Sequence, residues 1–577
     1  MKKFVQIFLF LLLVDCVITP SIYSQDIPSN QTAGSEEARF QKEKQFKEKL
    51  KKAEEEKKEA VEKAPTEKTE AAPGKDEGQK VFVKEVRFLG NHSIPEEELR
   101  PMAAPLVNRE VSLREIQDAA AEIRKYYRSK GMIAAYVYVP SQQLPDGVLK
   151  LDILEGRISD VKITGNRWFS EALLKKFTHL LKPGEVLKYD DLWKPVNRLN
   201  QRKDIQAKAV LEPGATTGTT AVNLSVEDKN PVHLAADLNN DGTRNTGKYR
   251  LGFSAENNNL LGKADELSGR LQFGQGTEAL GASYMLPVNY NAGTRFGYSI
   301  SYAHTSIGGD LKPLDVKGRA LAHSFSLIQP LMEKEDLEID GKVGLDIKSI
   351  ENSILGNTSG KDELRIFNAG LNLDQSDPQG RMLSSHDVNL GMADFFGSSD
   401  DVDVLASRAG TGGKFFIYRG SLIRFQKLPM DLMVSFRSEW QATSYAVPPS
   451  EQIRLGGSHS VRGYQEGEYS ADYGVSGSLD LYVPTYFFPE DLKLPNAKEN
   501  LRKQIQLIGF ADMGAGHLNK ILVGEHRNKT LAGLGTGVRV HVYEDWYGRF
   551  EWGFPIGDQP FDNRRSAYYF TISKEIF

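Results

Sequence analysis

Residues 296–302 read Phe-Gly-Tyr-Ser-Ile-Ser-Tyr, and this pattern decides the fold. Apolar or aromatic side chains alternate with glycine or serine, so an extended strand here has one apolar face and one small, polar face. The same period of two recurs along residues 231–577. Further examples are Tyr249–Glu256, Leu337–Lys348, Leu432–Trp440 and Phe550–Phe554. A long region of such strands predicts an antiparallel sheet.

Alternating strands suit either a sandwich in water or a barrel in a membrane. Residues 231–577 favour the barrel, because they form a long region without a convincing helical segment and repeat aromatic residues on the apolar face. Lipid offers no partner for backbone polar groups, so a sheet that spans it must close on itself. We therefore predict a transmembrane antiparallel β-barrel over residues 230–577.

The composition excludes several other classes of protein. The chain has 577 residues and a net charge of −4, which gives no signal for nucleic-acid binding. No stretch after residue 25 reaches about 18 consecutive apolar residues, which excludes a bundle of membrane helices. Cys16 is the only cysteine, and the ten histidines show no metal-ligand spacing. No cofactor, metal site or catalytic group is expected, and His459 beside Ser458 is interpreted as part of a polar turn.

The N-terminal region predicts export followed by a spacer. Lys2 and Lys3 precede the apolar run at residues 8–14, so residues 1–24 are predicted to be a signal peptide. Residues 25–80 are predicted to be a charged helical arm and a linker, with the Glu- and Lys-rich helix over residues 36–64. We favour a spacer role for this arm over a docking role.

Two similar modules follow the arm. The sequence Val-Arg-Phe-Leu-Gly-Asn at 86–91 is echoed by Val-Lys-Ile-Thr-Gly-Asn at 161–166. Both are followed by two helices and two strands, which predicts tandem α+β modules at 81–156 and 157–229. Capping boxes are predicted at Ser93 with Glu96 and at Ser112 with Glu115. Each small sheet has an edge that could accept an unfolded polypeptide as an added strand.

Two motifs in the barrel region suggest an internal ion pair. Residues 455–464, Leu-Gly-Gly-Ser-His-Ser-Val-Arg-Gly-Tyr, form a glycine-flanked hairpin tip with Arg462. Residues 510–516, Phe-Ala-Asp-Met-Gly-Ala-Gly, place Asp512 in a strand with small neighbours that leave room for a guanidinium. Such a pair is bidentate and charge-assisted. The alternative is an ordinary surface turn and an unrelated strand aspartate.

The chain resembles the two-partner secretion transporters, also called ShlB/FhaC/HecB-type haemolysin secretion/activation proteins. The resemblance rests on these two motifs and on the segments Tyr126–Gly131 and Glu155–Arg157. That family lies in the BamA-like superfamily of outer-membrane proteins. The resemblance covers residues 81–577. It implies two periplasmic POTRA domains, a 16-stranded barrel, and a loop around residues 455–474 folded into the lumen.

The resemblance also assigns site residues. It implies that Arg462 lies at the loop tip and Asp512 on the inner barrel wall. The remaining motif residues are Gly456, Gly457, Val461, Gly463 and Tyr464 in the loop, and Phe510, Gly514 and Gly516 in the strand. The N-terminal helix of the family often plugs the pore, and residues 36–64 occupy the corresponding place in the chain.

The implied function is export of a large β-helical, TpsA-like exoprotein to the surface of a Gram-negative-type bacterium. The expected partners are that exoprotein, outer-membrane lipid and, through the terminal segment ending at Phe577, the barrel assembly machinery. Nucleotide hydrolysis is not expected, because Gly410–Lys414 is followed by Phe415 and fails as a phosphate loop. A BamA-like barrel-assembly factor and a passive porin or receptor remain alternatives.

Overall fold

The computed structural model describes residues 33–54 and 80–577, apart from positions 496, 498, 523 and 544. The predicted signal peptide and nearly all of the predicted linker lie outside these residues. Helix α1 spans Ala33–Glu54. No helix in the described part of the chain has the length and apolar character needed to cross a membrane.

The first module is a small sheet covered by two helices. In chain order it contains β1 Val81–Val83, β2 Glu85–Leu89, α2 Glu96–Ala103, β3 Arg109–Val111, α3 Leu113–Ser129, β4 Tyr136–Tyr138 and β5 Val148–Leu154. The main sheet has the order β2-β5-β4, with β2 parallel to β5. The predicted apolar face of α3 is buried in the core.

The second module repeats this arrangement. It contains β6 Arg157–Thr164, α4 Glu171–Phe177, α5 Tyr189–Asn200, β7 Ile205–Pro213 and β8 Thr219–Asp228. Its sheet order is β6-β8-β7, with β6 parallel to β8, as in the first module. Gly90 and Gly165 occupy the equivalent turn with φ of 87° and 86°. The sequence repeat therefore corresponds to a repeat in topology.

One predicted capping box forms and the other does not. The Ser112 hydroxyl accepts from the Glu115 amide at 3.3 Å, and the Ser112 amide donates to the Glu115 carboxylate at 2.8 Å. The prediction for Ser93 was wrong, because α2 begins after Pro95 without a side-chain cap. The Ser93 hydroxyl and amide instead donate to the buried Glu155 carboxylate at 2.8 and 2.6 Å.

The rest of the chain forms one closed antiparallel barrel of 16 strands. Its first eight strands are β9 Val232–Asn239, β10 Arg250–Asn257, β11 Glu266–Gly274, β12 Thr277–Asn289, β13 Thr294–Ser306, β14 Lys317–Glu333, β15 Leu337–Ile354 and β16 Asn357–Asp377. Three more follow as β17 Gly380–Gly391, β18 Phe415–Lys427 and β19 Met433–Ala442.

A separate hairpin interrupts the ring after β19 and consists of β20 Ile453–Leu455 and β21 Tyr469–Ala471. The ring then continues through β22 Tyr473–Pro484, helix α6 Leu501–Gln504, β23 Ile505–His517, β24 Asn528–Val542, β25 Trp546–Pro555 and β26 Ala567–Glu575. Strand β26 pairs with β9 and closes the barrel.

The predicted alternation is present in the barrel wall. On β10 the side chains of Leu251 and Phe253 are exposed on the outer face, whereas Arg250 and Gly252 are buried toward the lumen. Because β9 starts where the second module ends, the start of β9 defines the module end of the barrel. The chain between β19 and β22 leaves the wall at the opposite end.

Candidate functional site: a buried arginine in the barrel lumen

The segment 443–472 folds back into the lumen and packs there as a small apolar unit. Leu455, Val461 and Tyr464 are fully buried in a cluster with Leu531 of β24. Gly456 and Gly463 have φ of 98° and 106°, a backbone conformation that residues with a Cβ rarely adopt. These glycines let the hairpin turn tightly enough to present Arg462 to the inner wall.

Arg462 makes the predicted bidentate contact with Asp512. Its Nε lies 2.7 Å from Asp512 Oδ2, and its Nη2 lies 2.7 Å from Asp512 Oδ1. The Arg462 amide also donates to Asp512 Oδ2 at 2.9 Å. The Arg462 side chain has no solvent exposure, so this contact is desolvated.

Two further carboxylates contact the same guanidinium. Nη2 of Arg462 lies 2.5 Å from Asp480 Oδ1, and Nη1 contacts Glu551. Asp480 also pairs with Arg437 at 3.0 Å, and Glu551 with Arg549 at 2.5 Å. The cluster therefore holds three arginines and three carboxylates, so it buries no net charge. We call Arg462 with Asp480, Asp512 and Glu551 the lumen lock.

Aromatic and hydroxyl groups complete the surroundings of Arg462. Its guanidinium carbon lies 3.6 Å from the centroid of the Phe510 ring, a cation–π contact. Ser478 Oγ accepts from Arg462 Nη2 at 2.9 Å and donates to Asp512 at 2.6 Å. The Tyr569 hydroxyl accepts from the Gly463 amide at 2.9 Å and donates to the Tyr464 carbonyl.

The glycines of the strand motif do not make room for the guanidinium itself. A Cβ at Gly514 would lie 2.9 Å from Val461, and one at Gly516 would lie 2.7 Å from Ala471. They accommodate the apolar part of the loop instead. Gly553, which the sequence analysis missed, lies against the loop tip, since a Cβ there would come within 2.7 Å of the Gly463 nitrogen.

Helix α1 shares the lumen with the loop. Phe40 is 2% exposed and packs against Ala279 of β12 and Ala303 of β13. A Cβ added at Gly281 would lie 2.7 Å from the Phe40 ring, so this wall position must be small. The first turn lies against the wall at the end away from the modules, where Gly34 contacts Ile350.

Charged side chains of α1 contact the inner wall along its length. Glu43 pairs with Arg270 at 3.1 Å, Lys52 with Asp374 at 2.8 Å, and Lys42 with Glu439. The partners lie on β11, β16 and β19, which are far apart around the ring. The spacer interpretation was therefore wrong for residues 33–54. A cavity of about 800 Å³ remains beside α1 and the loop.

The second module is fixed to the module end of the barrel through α5. Arg198 forms a two-point contact with Glu333 at 2.8 and 2.5 Å, and Arg202 pairs with Glu266 at 3.0 Å. Asn197 donates to Glu338 at 2.9 Å. These contacts place the module below one side of the barrel opening.

His459 lies inside the lumen and not in a solvated turn. The hydroxyl of Ser458 is 2.8 Å from His459 Nδ1, 2.8 Å from Asp241 and 2.9 Å from Glu466. Asp241, His459 and Glu466 form a group with spacing suited to a metal ion within the described chain. The hydroxyl contacts join the loop tip to the segment after β9.

Comparisons with known proteins agree with this architecture. The model of the family "Haemolysin secretion/activation protein ShlB/FhaC/HecB" matches residues 218–540. The chain belongs to the ShlB/FhaC/HecB family. The model of the ShlB-type POTRA domain matches residues 81–156. The predicted family is therefore confirmed.

Relatives and solved structures extend the likeness. The chain is 22% identical to the heme/hemopexin transporter protein HuxB of Haemophilus influenzae over 426 residues, covering 71% of this chain and 74% of HuxB. It is 26% identical to the outer membrane transporter CdiB of Dickeya dadantii over 411 residues, covering 69% of this chain and 72% of that one. CdiB from Escherichia coli has a similar fold, with a TM-score of 0.72 at 20% identity over 97% of this chain and 100% of CdiB.

Membership of this family fixes the orientation of the barrel. The protein is an outer-membrane member of the two-partner secretion transporters, and its POTRA domains lie in the periplasm. The predicted fold class and location are confirmed. The module end of the barrel is consequently periplasmic, and the segment 443–472 leaves the wall at the cell-surface end.

Proposed function

We propose that this protein recognises an unfolded exoprotein through its POTRA domains and exports it through the barrel to the cell surface. The observation that supports this proposal is the content of the lumen, which holds both helix α1 and a loop fixed by a buried charge cluster without net charge. A pore that holds this helix and this loop is closed without a client and can open when a client is exported.

The POTRA sheets supply edges for the client. Strand β4 lies at one edge of the first sheet, and β7 lies at one edge of the second. Tyr136 on β4 is 44% exposed and has the Arg124 guanidinium 5.9 Å from its ring centroid. A backbone edge flanked by aromatic and basic groups can pair with an extended chain of varied sequence.

Transport requires α1 to leave the lumen. The helix and the segment 443–472 both line the remaining cavity of about 800 Å³, so both occupy the space that a client would have to pass through. The wall that α1 vacates is lined by small and charged residues such as Gly281, Arg270 and Asp374, so it suits an extended, hydrated chain. Folding of the exoprotein outside the cell supplies direction without nucleotide hydrolysis.

The lumen lock keeps the loop in place while the helix moves. Removing either Arg462 or Asp512 leaves buried charges without a full set of partners, which destabilises the loop. The test co-expresses each variant with a candidate exoprotein partner and measures that exoprotein at the cell surface. We expect Arg462→Ala and Asp512→Ala to assemble as barrels and to lose most export, whereas normal export in both would contradict the role of the lock.

The two alternatives make different predictions for a purified barrel. A passive porin conducts steadily, but this lumen is occupied by α1 and the segment 443–472. A barrel-assembly factor inserts other barrels into membranes, and BamA from Haemophilus ducreyi shares the fold with a TM-score of 0.51 at 12% identity. Acceleration of barrel insertion into vesicles in the absence of any exoprotein would favour the assembly role.

A further inference from the structure

The periplasmic side of the barrel carries one unusually long connection. Residues 485–504 join β22 to β23, while the next longest connection on this side is 258–265. Outer-membrane barrels have short periplasmic turns, so an extended connection here needs a reason. The second POTRA domain contacts the turns around β10–β15, and residues 485–504 lie on the opposite side of the ring.

This connection and the neighbouring turn form one exposed apolar surface. Phe487 is 72% exposed and Met430, in the turn between β18 and β19, is 73% exposed. The Tyr486 hydroxyl donates to the Met430 carbonyl and joins the two segments. Leu428, at 39% exposed, lies at the start of the same turn. We call Leu428, Met430, Tyr486 and Phe487 the foot.

Met430 and Asp431 form the tip of the hairpin turn between β18 and β19. They have φ of 66° and 54°, and a tight hairpin turn of type I′ needs a positive φ at both central residues. The Leu428 amide donates to the Leu432 carbonyl at 2.8 Å and closes this turn. The turn therefore carries Met430 at its exposed tip.

The foot continues the lipid-facing surface of the barrel. Leu481 on β22 and Leu507 on β23 are exposed on the outer face at the same end of these strands. The Arg502 guanidinium lies 5.8 Å from the centroid of the Tyr486 ring. An aromatic side chain paired with a basic one is typical of the boundary between acyl chains and headgroups.

The strands next to the foot have the length of an ordinary membrane span. Strands β18, β19, β22 and β23 have 13, 10, 12 and 13 residues, and a transmembrane β-strand needs about 9–11 residues. The foot therefore lies where the membrane-spanning wall ends. We propose that the foot inserts into the phospholipid leaflet on the periplasmic side and sets the depth of the barrel opposite the second POTRA domain.

The test uses single fluorescent labels in lipid vesicles. Phe487→Cys is made in a Cys16→Ser background, labelled with an environment-sensitive dye, and reconstituted in phosphatidylethanolamine–phosphatidylglycerol vesicles with or without brominated lipid. Leu481→Cys is the control for a lipid-facing site, and the exposed Lys334→Cys, in the turn between β14 and β15, is the control for water. Heat-modifiable electrophoretic mobility checks that every barrel is folded.

We expect brominated lipid to quench the label at residue 487 about as strongly as the label at 481, and aqueous iodide to quench it several-fold less than at 334. Strong iodide quenching with no effect of brominated lipid would overturn the proposal. A label at 487 that responds only to added exoprotein would also overturn it, because the foot would then contact the client and not lipid. Neither result depends on export, so the proposed function is tested separately.

Discussion

The inserted loop and helix α1 occupy the same lumen but are held by contacts of different kinds. The Arg462 side chain is fully buried among three carboxylates that are also buried. Helix α1 also has a buried pair with the wall, Glu43 with Arg270, whose side chains are 3% and 10% exposed. Its pairs through Lys42 and Lys52, however, leave 42% and 51% of the lysine side-chain surfaces exposed. Exposed pairs contribute about 0–1 kcal/mol each, whereas breaking a buried one costs about 3–5 kcal/mol. Because three buried carboxylates surround one guanidinium of the loop, while the pairs of α1 are spread along its length and partly exposed, we propose that the helix and not the loop leaves the lumen.

The largest effect is expected from Arg462→Ala. Removal of this cation leaves three buried carboxylates with two arginines, and the loss of stability is expected to be about 3–5 kcal/mol. Arg462→Lys keeps the charge but not the two-point contact, so its effect should be intermediate. Thermal unfolding of the purified barrel in detergent measures both.

The matched control is Arg424→Ala. Arg424 pairs with Asp377 at 2.8 Å near the periplasmic rim, and its partner is 41% exposed. We expect a change below about 1 kcal/mol for this variant. Equal destabilisation by Arg424→Ala and Arg462→Ala would remove the distinction between the lumen lock and an ordinary ion pair.

An intermediate effect, on channel conductance, is expected from Gly281→Leu. This substitution changes the contact of the wall with helix α1 and leaves the contacts of the loop unchanged. The new side chain would occupy the position of the Phe40 ring and displace α1 from the wall. Single-channel recordings should show higher conductance, with little change in thermal stability. Gly269→Leu is the control, since a Cβ there meets nothing closer than 3.9 Å. Unchanged conductance in Gly281→Leu would show that α1 does not obstruct the pore.

The smallest effect is expected from Lys52→Ala. It removes one half-exposed pair, and Asp374 keeps its contact with Arg381 at 2.8 Å, so no carboxylate is left unpartnered. The change in helix binding should be below about 1 kcal/mol and should disappear at high salt, because salt screens exposed charges. The frequency of channel opening at low and high ionic strength measures it, and an effect that persists at high salt would contradict this explanation.

The sequence predicts the barrel better than it predicts the contents of the lumen. A period of two identifies strands and their inner faces. The glycine-flanked motifs alone left the Arg462–Asp512 pair open, and the family resemblance placed the two residues where the structure has them in contact. Asp480 and Glu551 also alternate inward, but their height in the wall depends on strand register, which no local pattern specifies. Helix α1 was interpreted as a spacer because its charges suit water, yet a polar lumen supplies partners for the same charges.

The claim that the helix leaves the lumen while the loop stays is tested most directly with engineered disulfides in a Cys16→Ser background. Gly34→Cys with Ile350→Cys joins α1 to the wall, and Val461→Cys with Gly514→Cys joins the loop tip to the wall, since both pairs are in contact. Exoprotein export is measured with each tether oxidised and reduced. We predict that the oxidised helix tether abolishes export reversibly and that the oxidised loop tether leaves export intact. Export that continues with the helix tethered, or stops with the loop tethered, would contradict the account.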